Sequence, residues 1–140
     1  MNIEFSTAKD GNSTCKINSI FLHSSYAPLR ESERFVSSIS SPFKPEIIFI
    51  IEPGLSYCTE YLRKKFPDAK LAVIRLIKEL EDYNKGFDYS FNYYQWIHPE
   101  TFFSSLFEKF GENILAFSLL LCWEPSAKIF QKETYSIFKS

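Results

Sequence analysis

The residues best placed for chemistry follow a strongly apolar stretch near the middle of the chain. Residues 46–51, EIIFII, predict a buried strand, and an amphipathic helix is predicted soon after it. In the turn between them, backbone N–H groups at the start of the helix could hold a phosphate or another anion. The candidate residues of this crevice are Glu52, Gly54, Ser56 and Tyr57.

The turn has fewer glycines than a dinucleotide site needs. The G-x-G-x-x-G pattern uses its glycines for a tight bend, for close approach to pyrophosphate and for helix packing. Here the segment reads E-P-G-L-S-Y, with Gly54 as its single glycine. Glu52 would repel a phosphate placed in the crevice, and Ser56 is equally well explained as the N-cap of the helix. We therefore predict a degenerate nucleotide site.

Two more charged residues are expected at the same edge. Arg75 stands about twenty residues beyond the turn, where a dinucleotide-binding domain places an acidic residue for the ribose hydroxyls. An arginine there could instead contact a 2′-phosphate. Glu124 follows the last apolar strand much as Glu52 follows the first. The two carboxylates could act as an acid and base pair, bind a metal ion, or simply begin the helices that follow.

A second group of candidates lies near the amino terminus, in LHSSYAPLRESER. His23 could contact a ligand or act as a general base, but a structural hydrogen bond explains it more simply because no nucleophile is spaced beside it. Tyr26 and Pro28 are expected to shape the start of a helix. Charged residues on that helix could form a docking face or surface ion pairs. They are Arg30, Glu31, Glu33 and Arg34.

Apolar segments that alternate with amphipathic helices predict how these residues are positioned. The fold class is α/β: a Rossmann-like, mostly parallel sheet flanked by helices and preceded by a small antiparallel β element. Further helices are predicted to begin at Pro99 and Pro125, and the last strand is predicted to be buried on both faces. The strands are expected near 46–52, 70–76 and 113–122, with one more between 87 and 97.

The chain is predicted to divide into two parts. Residues 1–45 form a β meander followed by a helix, and 46–140 form the Rossmann-like domain. Asp10-Gly11, with Asn12, marks the first turn of the meander, and a second turn is expected near Asn18-Ser19.

Composition excludes several classes of function. A net charge of −1 with dispersed charges provides no basic surface for nucleic acid or an anionic membrane. The amino terminus has no apolar leader segment, and three well-separated cysteines favour reduced thiols in a cytoplasmic protein. Aromatic residues make up 18% of the chain, and most are expected in the core.

The segment over residues 22–34 resembles the L-H-S-x-Y-x-P-x-x-E-A-E-R motif of the bacterial motility accessory factor family. That family also includes proteins resembling an archaeal 6-hydroxymethylpterin diphosphokinase. Upstream, AKDGNSTCKIN is similar to the family's K-(D/N)-G-x-x-T-x-K hairpin. Downstream, IIFIIEPGLSYCTEYLRKKFPDAKLAVI is similar to its strand, G-x-G-L-G-Y turn, helix and second strand.

The resemblance covers most of the chain and implies an amino-terminal region placed before a larger catalytic domain. The chain departs from the family at the crevice. Ser56 replaces a glycine of the turn, and Arg75-Leu76 stands where the family tends to have Glu-Pro. The resemblance therefore also implies a degenerate site.

Two functions follow as hypotheses. The first is an accessory, non-catalytic domain of a motility-accessory-factor-like protein associated with flagellin glycosylation, which supports a catalytic domain, contacts a protein partner or self-associates. The second is a stand-alone module that binds a nucleotide, S-adenosylmethionine or a nucleotide sugar in the crevice. A binding module predicts an open polar crevice, whereas a degenerate site predicts that Leu55, Tyr57 or a phenylalanine fills it. No catalytic residue, metal or cofactor is assigned.

Overall fold

The described part of the chain folds into two separate sheets with helices around the larger one. A computed structural model describes residues 2–96 and 101–139. The strands are β1 (Ile3–Thr7), β2 (Ser13–Ile17), β3 (Ile20–Phe21), β4 (Ile47–Ile51), β5 (Lys70–Arg75), β6 (Tyr89–Asn92) and β7 (Ser118–Cys122). The α-helices are α1 (Pro28–Ser37), α2 (Cys58–Lys65), α3 (Phe102–Phe110), α4 (Glu112–Ala116), α5 (Glu124–Ile129) and α6 (Gln131–Lys139), and two 3₁₀ segments cover Lys78–Gly86 and Tyr93–Gln95. Among the described helices, none is both long and apolar enough to cross a membrane.

The larger sheet has four parallel strands in the order β6-β5-β4-β7. This confirms the predicted α/β class and all four predicted parallel strands. Because β5 lies on one side of β4 and β7 on the other, the strand order reverses between β4 and β7. In doubly wound folds, the carboxyl ends of the strands at such a reversal flank the ligand crevice. The loops that follow β4 and β7 therefore flank the position of a candidate site.

The smaller sheet is the predicted antiparallel meander, in the order β1-β2-β3. In its first turn, the backbone N–H of Asn12 donates to Oδ1 of Asp10 at 2.9 Å. In its second turn, Asn18 and Ser19 have φ values of 49° and 69°, and Ile17 pairs with Ile20. Positive φ at both central residues is what a two-residue turn of type I′ requires, so both predicted turns are confirmed.

Each face of the parallel sheet carries its own apolar cluster, because successive side chains of a strand point to opposite faces. Ile47, Phe49 and Ile51 of β4 lie in one cluster, which also includes Cys15 and Leu22 of the N-terminal part. Ile48 and Ile50 of β4 point to the other face and pack with α1 and α2. This second cluster also contains Val36 and Leu62. The N-terminal part therefore contributes to the main core, and the boundary near residue 45 stays a prediction.

The end of the chain differs from the prediction in two ways. The last strand was predicted over 113–122, but it begins at Ser118 because α4 occupies Glu112–Ala116. It was also predicted to be buried on both faces, yet β7 is an edge strand and all its residues are only partly buried. The predicted helix after Pro125 is divided into α5 and α6. The predicted helix start at Pro99 lies outside the described residues.

The three cysteines are free thiols, as their odd number and wide spacing suggested. Burial raises the pKa of Cys15 and of Cys58 to about 12, and that of Cys122 to about 11. A buried thiol holds its proton because the thiolate would lose its solvation. These side chains are therefore neutral near pH 7 and are poor nucleophiles.

We expect the free energy of unfolding to fall as the pH rises from about 9 towards 12. An unfolded cysteine ionises near pH 8.5, whereas Cys58 in the folded chain keeps its proton up to about pH 12. The unfolded state therefore binds fewer protons in this window, and one such thiol contributes a slope of up to about 1.4 kcal/mol per pH unit. Urea titrations at several pH values between 8 and 10.5 would measure the slope. The Cys58→Ser variant has no thiol to ionise at this position, so its slope should be shallower. An equal slope in the two proteins would contradict the raised pKa of Cys58.

Candidate functional site

A buried ion pair fills the predicted crevice. Glu52 follows β4 directly, and Arg75 is the last residue of the neighbouring strand β5. The parallel register places Ile51 beside Ile74, so the two charged side chains emerge next to each other. Nη1 of Arg75 lies 2.6 Å from Oε2 of Glu52, and both side chains have no exposed area. The structure thus brings together two of the predicted crevice residues, but as partners of each other.

The carboxylate of Glu52 accepts hydrogen bonds from three backbone N–H groups in addition to the guanidinium. Oε2 accepts from Gly54 at 2.9 Å, and Oε1 accepts from Leu76 at 3.0 Å and from Ile77 at 2.8 Å. Each oxygen therefore has two donors. The N–H of Gly54 is among the donors that a phosphate would need in a dinucleotide site. In this chain the Glu52 carboxylate occupies the place of that anion.

Arg75 is held by the protein on all sides of its guanidinium. Nε donates to Oδ1 of Asn84 at 2.8 Å, and Nη1 also donates to the carbonyl oxygen of Gly54 at 2.8 Å. Nη2 donates to Oγ of Ser56 at 3.3 Å. A ligand phosphate could reach this guanidinium only by breaking that set of bonds. The arrangement therefore favours a structural role for Arg75 over contact with a 2′-phosphate.

His23 covers the turn from the N-terminal side. Its Nε2 accepts the backbone N–H of Leu55 at 2.9 Å, and its ring centroid lies 5.3 Å from the centroids of Tyr57 and of Trp123. Nε1 of Trp123 in turn donates to the carbonyl oxygen of Leu22 at 2.7 Å. A neutral imidazole that accepts at Nε2 carries its proton on Nδ1. This contact is the structural hydrogen bond that the sequence favoured for His23.

The backbone of the turn is shaped for these internal contacts. Glu52 and Ser56 have φ values of 40° and 64°, in the left-handed region that glycine occupies easily and other residues do not. The carbonyl oxygen of Glu52 accepts from Oγ of Ser126 at 2.6 Å. Gly54 has a φ of 62°, and a Cβ added there would lie 2.4 Å from Nε2 of His23. The turn is therefore packed too closely for a phosphate to enter without rearrangement.

Ser56 and Tyr57 have roles other than those predicted. Tyr57, not Ser56, is the N-cap residue of α2, so the N-cap interpretation of Ser56 is wrong. Oγ of Ser56 donates to the carbonyl oxygen of Tyr83 at 3.0 Å. The hydroxyl of Tyr57 donates to the carbonyl oxygen of Ser13 at 2.7 Å, and burial is the main cause that raises the pKa of Tyr57. Leu55 is 6% exposed and lies within the main core cluster, as a filled crevice predicts.

The two carboxylates predicted at one edge do not form a pair. Glu52 is bonded to Arg75, whereas Glu124 is exposed at the start of α5, and no hydrogen bond or ion pair joins the two carboxyl groups within the described residues. Across residues 2–96 and 101–139, no three histidine, cysteine, aspartate or glutamate residues are grouped to hold a metal ion. Glu124 instead matches the simpler interpretation of a carboxylate at the start of a helix.

The N-terminal motif builds the start of α1. Pro28 opens the helix, and Oγ of Ser24 accepts from the backbone N–H groups of Tyr26 and Ala27 at 3.0 and 3.1 Å. Oε1 of Glu31 accepts from the N–H of Ser24 at 2.8 Å and lies 3.6 Å from Nδ1 of His23. Tyr26 is 62% exposed. This part of the motif thus orders the chain between His23 and the helix.

Within residues 2–96 and 101–139, the surface ion pairs that were one alternative for α1 are not formed. Arg30, Glu33 and Arg34 are exposed, and no ion pair joins them within the described residues. Together with residues of α5, two of them line a groove of about 740 Å³ beside the covered crevice. The alternative of a docking face on α1 stays a prediction.

Sequence reasoning named both members of the buried pair but not their contact. Opposite charges at the ends of two neighbouring apolar strands were a usable signal for it. Asn84, Trp123 and Ser126 were missed, because nothing local to these residues indicates that they lie beside the turn. The resulting set of bonds can fix the loop after β4, and of its side-chain atoms in the described residues Nδ1 of His23 is buried without a hydrogen-bond partner. Comparisons of this chain with protein families, with curated proteins and with solved structures found no match.

Proposed function

We propose that this chain is a non-catalytic, accessory α/β domain in which an internal ion pair replaces the ligand of a nucleotide-binding fold. The observation that carries the proposal is the buried bond between Glu52 and Arg75 at the carboxyl end of β4. His23 covers the same turn and accepts the N–H of Leu55. A binding loop would present the guanidinium of Arg75 and the backbone N–H groups of Gly54 and Leu55 to its ligand. Here all three groups are bonded to other residues of the fold.

The chemistry of the crevice agrees with a non-catalytic role. A general base needs a lone pair within hydrogen-bond reach of the substrate, but each carboxylate oxygen of Glu52 already has two donors. A nucleophilic cysteine needs a lowered pKa, but burial raises the pKa of Cys15 and of Cys58 to about 12.

The parent activity that we propose is flagellin glycosylation by a cytoplasmic, motility-accessory-factor-like bacterial protein. It is supported by the resemblance of residues 22–34 and of the segments around them. Some of the contacts over the turn come from these segments, since His23 and Gly54 lie in them, whereas Arg75 of the buried pair stands where the chain departs from the family. The catalytic work would belong to another domain or to a protein partner, and this domain would support it.

An amide-resolved NMR titration tests the closed crevice directly. The ¹⁵N-labelled chain would be titrated with ATP, a nucleotide sugar, S-adenosylmethionine and a pterin. We expect no saturable shift for the amides of Glu52, Gly54, Leu55, Ile77 and their neighbours. A ligand that saturates these amides would overturn the proposal and would favour the stand-alone binding module instead.

The proposed parent role has its own test in the organism that encodes the chain. Deleting the segment that encodes this domain should lower the glycosylated fraction of flagellin, measured as intact mass. Returning the deleted domain with Glu52 and Arg75 unchanged should restore the glycosylated fraction, because the buried ion pair and the fold would then be intact. An unchanged flagellin mass after deletion would rule out this role while leaving the closed crevice untouched.

A further inference from the structure

We propose that the groove between α1 and α5 is a binding site for a small molecule that carries a phosphate group. The groove is open to solvent and has a volume of about 740 Å³, within the range of about 300 to 1,000 Å³ that small-molecule sites occupy. Its walls come from α1 and from the loop and helix that follow β7, which include Trp123, Glu124 and Pro125. It therefore lies at the carboxyl edge of the sheet, where ligands of this fold class bind.

The groove is separate from the closed crevice. Trp123 is 2% exposed, and its ring packs against the rings of both His23 and Phe35, with centroid distances of 5.3 and 5.0 Å. His23 closes the turn after β4, whereas Phe35 lines the groove. A ligand in the groove therefore leaves the bonds of Glu52 and Arg75 intact, and the inference goes beyond the accessory role proposed above.

Three cations line the groove and have no partner among the residues that the structure describes. Arg30 and Arg34 are one turn apart on α1, so their side chains leave the same face of the helix. Lys128 joins them from α5. Within the described residues, none of these three side chains makes a hydrogen bond or an ion pair, whereas the side chains of Lys65 and Arg75 are bonded to protein oxygens. An arginine guanidinium matches a phosphate with two parallel hydrogen bonds, and lysine adds a point charge.

The carboxylates of the groove set a further condition on the ligand. Glu31 is already engaged, since its Oε1 accepts from the N–H of Ser24 at 2.8 Å. It also lies 3.6 Å from Nδ1 of His23, a buried nitrogen that has no hydrogen-bond partner in the described part of the chain. Glu124 is exposed and free of ion pairs within the described residues, so it could accept hydrogen bonds from hydroxyl groups of a ligand. The site thus fits a phosphate at the arginines and a hydroxyl-bearing part near Glu124.

Titration of the ¹⁵N-labelled chain with pyrophosphate, at about 0.15 M salt, tests the assignment. We expect saturable shifts among the amides of residues 24–38 and 123–128, with half-saturation at or below about 1 mM. The Arg30→Gln/Arg34→Gln double variant should bind at least about tenfold more weakly. The matched control is Lys78→Gln/Lys85→Gln, which removes two exposed cations outside the groove and should leave the binding unchanged.

The outcomes separate the two proposals. Shifts confined to the groove and lost in the arginine variant support the phosphate site, provided that both double variants keep the unfolding midpoint of the parent chain. Absence of saturation, or equal binding by the two double variants, would overturn it. Citrate that binds as tightly as pyrophosphate would overturn the choice of phosphate over carboxylate. Shifts at Gly54 and Leu55 would contradict the accessory role instead.

Discussion

Replacing Glu52 with glutamine is expected to lower the free energy of unfolding by about 3 to 5 kcal/mol. The change leaves the guanidinium of Arg75 buried without a counter-ion. It also places an NH₂ group where an acceptor is needed, because Oε1 and Oε2 each accept two hydrogen bonds. Small domains have only about 5 to 15 kcal/mol of total stability, so the variant would be close to unfolding. Urea denaturation followed by circular dichroism would measure the loss.

Glu124→Gln is the matched control for this substitution. It makes the same chemical change at a carboxylate that is exposed at the start of α5, and it should alter stability by no more than about 0.5 kcal/mol. Equal losses in the two variants would contradict a structural role for the buried pair.

A double-mutant cycle separates the ion pair from the other bonds of Glu52. Arg75→Met alone should be strongly destabilising, because it leaves the buried carboxylate without its cation. Adding Glu52→Gln to that variant should lower the free energy of unfolding by less than the same change does in the parent chain. The difference, the coupling energy, should be about 1 kcal/mol or more. Strictly additive losses would show that the two side chains act independently.

Gly54→Ala is expected to lower the free energy of unfolding by about 2 to 5 kcal/mol, for two physical reasons. An alanine with a φ of 62° is strained, and its Cβ would lie 2.4 Å from Nε2 of His23 and 2.9 Å from Cδ2 of Leu22. Since both neighbours are buried, one of them has to move, and the N–H of Leu55 would then lose its acceptor. The unfolding midpoint in urea, at an unchanged slope, would report the cost.

Gly11→Ala controls for the backbone strain alone. Gly11 has a φ of 91°, but among the described residues no heavy atom beyond its two chain neighbours lies within 4 Å of an added Cβ. The loss there should stay near the strain of one left-handed residue, about 1 to 2 kcal/mol. A loss at Gly11 as large as that at Gly54 would contradict the close packing of His23 over the turn.

The strands could be predicted because their signal is local. An apolar run such as Ile47–Ile51 needs partners on both faces, and the parallel sheet supplies them. Turn chemistry at Asp10 and Asn18 depends on neighbouring residues alone, and both turns formed as predicted. The predicted start of the last strand was wrong. The sequence of Glu112–Ala116 fits a helix as readily as a strand, and the local pattern does not decide between the two.

The candidate site was predicted in composition but not in arrangement. Glu52, Gly54, Ser56 and Arg75 do meet at one place, as a crevice after the first parallel strand requires. Their charges and donors, however, bond to one another. Sequence reasoning weighed Arg75 against a ligand phosphate because the position of an arginine along the chain does not reveal which carboxylate stands beside it.

The sequence by itself determined the α/β class, the parallel strands, the hairpin turns and the shortage of glycine after β4, since each depends on residues close together along the chain. Only the tertiary structure decided that the crevice is closed. Its closure brings His23 to Leu55 and Trp123 to Leu22, contacts between residues up to about a hundred positions apart. Such contacts depend on strand order and on the docking of the N-terminal part, which no local pattern encodes.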